Sequence, residues 1–587
     1  MKDFFKSVLA NLVALILYSF VFFILFAGIA GVVAAFGDKS APVKPNSVLH
    51  LSFKSEITDR ASGNNISLTS LTSGLQQGVG LYDILECISR AKTDNNIKCI
   101  FIDNSSIDAD MATIAEIRTA LTDFKKSGKP VYAYADNMSQ GVYYLASVAD
   151  KIALNPTGEM LLKGLQAQVM FYKGALDKLG VEVQVFRHGK FKSAVEPYIR
   201  SGMSDENRLQ YQTMLDAMWN VYLKNVAESR GIDAAQLNQL ADNGVAHDPQ
   251  VAKQMRLIDA VAYRDEILNE LAALTGADNI DNLNLVSVGK YAKAKPFAAL
   301  SDNKIAVVYA SGEIVGQPSS YGEDEITEKE YVETLREVRA DSSVKAVVLR
   351  VNSPGGSAQV SDNIWHEVEL TKQVKPVVVS MGDYAASGGY YISCPASYIV
   401  AGEFTLTGSI GVFGLGLNLQ KLMNNRLGLN VETVKTNKMA DIGSAYRSAT
   451  PAECEIQQSE VEKIYSTFVG RVSKGRELPA ERVDSIGQGR VWCGVDALRL
   501  KLIDAYGGLT DAIAKAAEMS GVEKYSLVDY PKQEEGIEAV MKMLTDEVRS
   551  RVTVNELGEF AQSAKFIKSL IESQGVQARL ENTIVIY

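Results

Sequence analysis

Two halves of this 587-residue chain repeat the same order of apolar runs and turn residues, and that duplication constrains the fold more than any other feature. Ile97-Lys-Cys-Ile-Phe-Ile102 matches Val344-Lys-Ala-Val-Val-Leu349, and Lys129-Pro-Val131 matches Lys375-Pro-Val377. Leu179-Gly180 matches Leu427-Gly428, and Leu257-Ile-Asp-Ala260 matches Leu502-Ile-Asp-Ala505. Several anchors at a nearly constant offset mean one structural unit used twice. Within each copy, short apolar runs alternate with longer amphipathic stretches, the rhythm of βαβ units. Strands are expected at Val48 to Phe53, Ile97 to Ile102, Val131 to Ala135 and Glu182 to Phe186, with helical periodicity at Leu81 to Ala91 and Met111 to Phe124. The expected fold class is α/β: two tandem homologous domains over 46–290 and 300–528, joined between Asn279 and Asp302. A mainly helical tail over 529–587 would follow, ending in the apolar Thr583-Ile-Val-Ile-Tyr587.

Ahead of the first copy, Ser7 to Gly37 contains no charged residue and is rich in Leu, Val, Ile, Phe and Ala. About 20 apolar residues span a bilayer core, whereas the apolar part of a cleaved signal is only about 7 to 15 residues long. Residues 1–45 therefore read as a retained membrane anchor, a single transmembrane helix that leaves everything after it on one side. Lys2 and Lys6 precede the run and Lys39 and Lys44 follow it, so charge bias favours an inside N-terminus only slightly. A formal charge of -10 and a pI near 5.3 give no basic face for nucleic acid. The five cysteines and four histidines are scattered without metal-ligand spacing, so neither a metal nor a cofactor is expected.

The chemistry concentrates in the second copy. A strand over Val347 to Val351 runs into Asn352-Ser-Pro-Gly-Gly-Ser357, and the next, Val377 to Met381, leads to Ala385-Ala-Ser387-Gly-Gly389. Consecutive glycines allow a tight turn with amides free to face an anion. Ser387 would stand at a helix N-terminus, where unpaired N–H groups favour negative charge. A serine there is ordinarily a helix cap. The second glycine turn at the same edge of a parallel sheet points instead to acyl transfer, with a nucleophile beside two donors for an oxyanion.

A serine nucleophile needs a base, and no histidine lies in a matching loop. Lysine serves if burial keeps it neutral, and Lys192 in Gly189-Lys-Phe-Lys192-Ser-Ala-Val-Glu-Pro197 stands out. At the equivalent place the second copy has Ala440. Conversely, Asp136-Asn-Met-Ser-Gln140-Gly-Val-Tyr-Tyr144 aligns with Asp383 to Tyr391 but puts glutamine where Ser387 stands. The first copy also reads Ser105-Ser-Ile-Asp-Ala109 where the second has its glycine turn. One composite site per chain, with the lysine from one copy and the serine from the other, is the economical reading.

Lys190 to Tyr198, Val351 to Gly356, Met381 to Tyr391 and Thr405-Leu-Thr-Gly-Ser-Ile-Gly411 resemble the signal peptide peptidase A family, in its long duplicated form (protease IV), which has the Clp protease and crotonase fold. The resemblance implies Ser387 as nucleophile and Lys192 as general base of a serine/lysine dyad. It further implies Ser409 as the residue that orients the lysine, and the amides of Gly356 and Gly388 as the oxyanion hole. It implies an enzyme of the bacterial cytoplasmic membrane, single-pass with its catalytic domains on the periplasmic side, that degrades hydrophobic peptides such as cleaved signal peptides and assembles as a homotetramer. Two alternatives stay open on the residues alone: a crotonase-like acyl-CoA enzyme and a non-catalytic membrane scaffold that binds peptides.

Overall fold

The computed structural model describes residues 13, 17, 18, 20, 42–61, 79–294, 301–318, 325–532 and 575–579. Nearly all of the expected anchor and most of the tail, with its apolar last five residues, lie outside the described residues. Among the described residues, no helix is long and apolar enough to cross a membrane.

Each copy builds a parallel sheet, and the strand orders correspond. The first copy supplies β1 (Ser47–Leu51), β2 (Ile97–Asp103), β3 (Val131–Ala135), β4 (Lys151–Leu154), β5 (Glu182–Arg187), β6 (Ala260–Val261) and β7 (Leu285–Ser287). The second supplies β8 (Lys304–Ser311), β9 (Glu313–Val315), β10 (Glu325–Thr327), β11 (Val344–Ser353), β12 (Gly355–Ser357), β13 (Val377–Ala386), β14 (Tyr398–Ala401), β15 (Leu406–Gly408), β16 (Phe413–Asn418), β17 (Val491–Cys493), β18 (Ala505–Tyr506) and β19 (Ser526–Tyr530). The tail adds β20 (Gly575–Arg579). In the first sheet the order is β6-β4-β3-β2-β1-β7, and in the second β18-β14-β13-β11-β8-β19, all parallel. The second sheet also carries β15 and β17 beyond β13.

Strand alternation explains the layers. Ile100 and Ile102 of β2 enter one core with Ile84 and Leu121 from the helices Leu81–Thr93 and Met111–Lys125. Cys99 and Phe101 point the other way, onto Leu268 and Leu271 of the helix Arg264–Thr275. Sheets covered on both faces read as near-continuous apolar runs, which is why β11 contains Ala-Val-Val-Leu. The first core also takes in Phe404, Leu406, Val491 and Cys493, so the copies share packed surface.

A third sheet, β10-β9-β12-β20-β16-β5, joins the copies. β5 is absent from the first copy's own sheet and pairs antiparallel with β16 over six residues, Glu182 opposite Asn418 through Arg187 opposite Phe413. Two boundary regions are partly described. The first copy's elements run on through the helix Val288–Ala294, whose Val288 and Tyr291 sit in the first core. In the tail, β19 reaches Tyr530 along the edge of β8, and β20 inserts between β12 and β16. Free sheet edges recruit short segments whose local pattern does not settle their form, because strand preference depends on tertiary context.

Candidate active site

β13 runs unbroken to Ala386, and the chain then turns at Ser387 with φ 56° and ψ -112° before the helix Gly388–Ser393. That conformation is rare outside glycine and is held only where surroundings over-determine it. Here Ser387 N donates to Gly408 O at 2.8 Å, and Tyr391 N donates to Ser387 O at 2.8 Å. Beside this turn, Gly356 lies so close to β9 that a Cβ would overlap the Ile314 carbonyl. The two glycine turns abut: a Cβ on Gly388 would stand 3.1 Å from Gly355 Cα.

Lys192 arrives from the other copy. Once β5 has paired with β16, the following Gly189-Lys-Phe-Lys192 passes under the second copy's turn Gln488-Gly489-Arg490. Phe191 N donates to Gln488 O (3.0 Å), Gly489 N to Ile410 O (2.7 Å) and Ser409 N to Arg490 O (2.8 Å). Gly489 has φ 82°, and a Cβ there would come within 2.6 Å of Lys192 N and Cβ. Beyond Lys192, the buried Glu196 accepts from Ser204 N at 3.1 Å and Asn207 Nδ2 at 3.0 Å, pinning the segment to the N-terminus of the helix Asp205–Arg230.

The result is a buried cluster of polar groups. Lys192 Nζ lies 2.9 Å from Ser387 Oγ and 3.1 Å from Ser409 Oγ. Ser387 is fully buried, and Lys192 and Ser409 are each 1% exposed. The Phe413 ring lies 5.8 Å from the amine, while Ser387 Oγ is 3.5 Å from Gly411 O. A hydroxyl next to an amine in a site closed to water, with glycine amides alongside, has the parts of nucleophilic acyl transfer. Ala440, at the lysine's equivalent place in the second copy, is exposed and away from the cluster.

The first copy's equivalent place is plugged. Gln140 is buried; its Oε1 accepts from Lys163 N (3.0 Å) and Gly164 N (3.1 Å), and its Nε2 donates to Gly164 O (3.1 Å). Its neighbouring turn is tied shut by Ser139 N donating to Ser105 O at 3.1 Å.

Three features escaped the reading of the sequence. The Gln488-Gly489-Arg490 turn has a signal in the repeat, since Asn243-Gly244 stands 13 residues before Leu257 as Gln488-Gly489 stands 13 before Leu502. β20 has only the short alternation of Gly575-Val-Gln-Ala-Arg579. Asp383, in the strand leading to Ser387, caps a helix of the first copy: it accepts from Ala112 N and Thr113 N at 3.0 Å each and from Thr113 Oγ1 at 2.6 Å. Burial, and then the nearby Asp110, push its carboxyl up to about 6.

The family model described as peptidase family S49 matches residues 123–278 and again 369–523, once in each copy. The chain belongs to peptidase family S49. Relatives of this S49 chain include Protease 4 of Salmonella typhi, 37% identical over 520 residues that cover 86% of this chain and 83% of the relative. Protease 4 of Haemophilus influenzae is 39% identical, covering 75% of this chain and 73% of its own length. The chloroplastic serine protease SPPA of Arabidopsis thaliana is 31% identical, covering 92% and 78%. The S49 chain is a serine protease. The acyl-CoA and scaffold alternatives therefore fall away.

Proposed function

We propose that this S49 protease is a membrane-anchored endopeptidase with a serine/lysine dyad, and that it degrades extended hydrophobic peptides such as cleaved signal peptides. The observation that carries the reading is the 2.9 Å approach of Lys192 Nζ to Ser387 Oγ, in a place where both are buried. Neutral Lys192 takes the Ser387 proton as the hydroxyl attacks a peptide carbonyl. The oxyanion settles on the amides of Gly356 and Gly388, an acyl-enzyme forms, and Lys192 passes the proton to the leaving amine before activating water for deacylation. Ser409, 3.1 Å from the amine, fixes its direction. The parallel sheets and paired glycine turns fit the Clp protease and crotonase type of fold.

Cleavage of a hydrophobic peptide by wild type, Ser387→Ala and Lys192→Ala tests the dyad. Each variant should lose roughly a thousandfold or more in kcat, and unchanged cleavage in either overturns it.

The uncharged run over 7–37 supports a single-pass anchor in the bacterial cytoplasmic membrane, with the catalytic domains on the periplasmic side. Sedimentation with membranes that survives high salt, and is lost when residues 1–45 are removed, is the expected behaviour. A homotetramer is supported by the second copy's exposed apolar stretch, in which Leu427, Leu429, Val431, Val434, Ile442 and Tyr446 are each more than 40% exposed. Light scattering should give four times the chain mass.

A further inference from the structure

Lys192 stands just after a loop, and a loop keeps an amine in place only where its neighbours fix it. Gln458, Glu462 and Tyr465 follow one another at spacings of four and three along the second copy's helix Pro451–Arg476, so they share the face turned to this loop. Gln458 Nε2 donates to Arg187 O at 3.2 Å. His188 Nδ1 lies 2.6 Å from Glu462 Oε2, and its ring stacks on that of Tyr465 with centroids 3.7 Å apart and planes 18° apart.

Tyr465, only 5% exposed, also holds the turn on the other side of the lysine. Its hydroxyl donates to Asp484 Oδ1 at 2.6 Å and accepts from Gln488 N at 3.2 Å. Gln488 has φ 52°, a left-handed conformation that a residue other than glycine keeps only where its surroundings impose it. From there the base is one step away: Gln488 O accepts from Phe191 N at 3.0 Å, and Gly489 lies against Lys192 itself. One side chain thus grips the lysine segment at His188 and again through Gln488. Burial, and then the bond to Asp484, push the phenol up, so it stays a hydroxyl that donates and accepts at once.

The first copy keeps the frame and lacks the grip. Its helix Asp205–Arg230 has the same 26 residues, with Trp219 at the place of Tyr465. Trp219 Nε1 donates to Asn238 Oδ1 at 2.6 Å as Tyr465 donates to Asp484, and Gln212 donates to Asp216 as Gln458 does to Glu462. An indole N–H only donates, so Trp219 can accept nothing from the turn Asn243-Gly244. That turn walls no lysine: among the described residues, a Cβ on Gly244 meets nothing within 4 Å. The acceptor oxygen is found in the copy whose turn bears on the base.

We propose that Tyr465 is a positioning residue for peptide cleavage, clamping the Lys192 segment so that the amine meets Ser387 Oγ. The proposal rests on the dyad reading above, and Tyr465 acts through Lys192 without touching substrate.

The test is steady-state cleavage of a hydrophobic peptide by the full chain, at a temperature well below unfolding. Tyr465→Phe keeps the ring on His188 and removes both hydrogen bonds of the hydroxyl. Its kcat should fall about ten- to a hundredfold with KM unchanged. Asp484→Asn leaves the hydroxyl an acceptor, as Asn238 does for Trp219, and should hold kcat within about threefold. Trp219→Phe, which deletes the equivalent hydrogen bond of the first copy, should leave kcat and KM as they are. With Lys192→Ala inactive, wild-type kcat in Tyr465→Phe overturns the proposal and leaves the dyad standing. A fall in kcat that Trp219→Phe shares overturns it by tracing the effect to stability, and so does a Tyr465→Phe chain that does not fold. A rise in KM alone overturns it by placing Tyr465 in substrate binding, and a loss in Asp484→Asn as deep as in Tyr465→Phe does so by assigning the effect to the carboxylate's charge. Unchanged cleavage by Lys192→Ala overturns the dyad and the positioning role together.

Discussion

Lys129 of the first copy and Lys375 of the second stand at equivalent places and do the same work. The first donates to Ala91 O and Asp94 O at 2.7 Å each, the second to Val338 O, Asp341 O and Val344 O at 2.8 to 2.9 Å. Both supply donors to carbonyls at the end of a helix and the turn after it. Arg230 binds Asp259 and the Arg256 carbonyl, as Arg476 binds Asp504 and the Lys501 carbonyl. Each aspartate also accepts a strand amide at 2.8 Å, from Ile152 and Ile399 respectively. At Gln140 and Ser387 the copies part, and they part again at Asp103 and Arg350. Asp103 pairs within its own copy with His50 and Arg264. Arg350, fully buried, reaches into the other copy, with Nε donating to Asp59 Oδ1 at 2.8 Å and Nη1 2.8 Å from Glu116 Oε1. Supports that every copy needs in order to fold were kept in both. Residues of the proposed dyad, and those that lock the copies together, were free to diverge, since one of each suffices.

The largest effect should come from breaking the lock. Arg350→Met leaves Asp59 and Glu116 buried without their cation and should cost about 3–5 kcal/mol in denaturant unfolding. The counterpart change Asp103→Asn, at a carboxylate 16% exposed, should cost about 1 kcal/mol. Equal losses would mean that the two ion clusters do the same job.

Asp383→Asn should change how stability depends on pH. The wild-type carboxyl is raised from 3.8 to about 6 in the folded chain, so folding favours its protonated form. That contribution is complete below about pH 3.8 and is lost as pH rises through about 6. Its full size is on the order of 2–3 kcal/mol. Thermal unfolding of wild type and Asp383→Asn across this window should converge on the asparagine variant's flatter profile at low pH and diverge above it. Parallel profiles would show that the carboxyl does not titrate there.

Gly489→Ala and Gly244→Ala sharpen the comparison at a glycine that both copies kept. Around Gly244 a Cβ meets nothing within 4 Å, whereas at Gly489 it meets Lys192. Gly489→Ala should lower kcat about ten- to a hundredfold through displacement of the amine. Gly244→Ala should cost only the left-handed strain of about 1 kcal/mol and leave kcat unchanged. The smallest effect belongs to Gln140→Ser. In a Ser387→Ala background it should restore no cleavage, because the first copy lacks the glycine turn and the second copy has Ala440 at the equivalent of Lys192, and lost hydrogen bonds should cost about 1 kcal/mol. Cleavage by that double variant would break the picture of a single composite site.

The strands of the two parallel sheets are legible because residues buried on both faces leave long apolar runs, as in Val344 to Val351, and the repeat fixes their order. Lys192, Ser387 and Ser409, which meet in the structure, are the residues that repeat comparison and family resemblance single out. What the sequence hides is why they meet. Glu182 to Phe186 reads as a strand, but nothing local says that its partner is Phe413 to Asn418, more than two hundred residues later. Asp383 aligns with Asp136 of the other copy, and its partnership with Thr113 exists only once the copies dock. Gly575 to Arg579 is too short for periodicity to speak, and its strand form comes from the two edges that receive it.

The pairing of β5 with β16 also sets a clock. A ribosome makes Lys192 first and Ser387 195 residues later, and the β16 strand that seats the lysine later still. Until that strand has emerged and folded against the first copy, a nascent chain holds Ser387 without the amine that the proposed dyad sets beside it. Under the proposed dyad, latency follows from the order of synthesis and ends when the second half closes on the first.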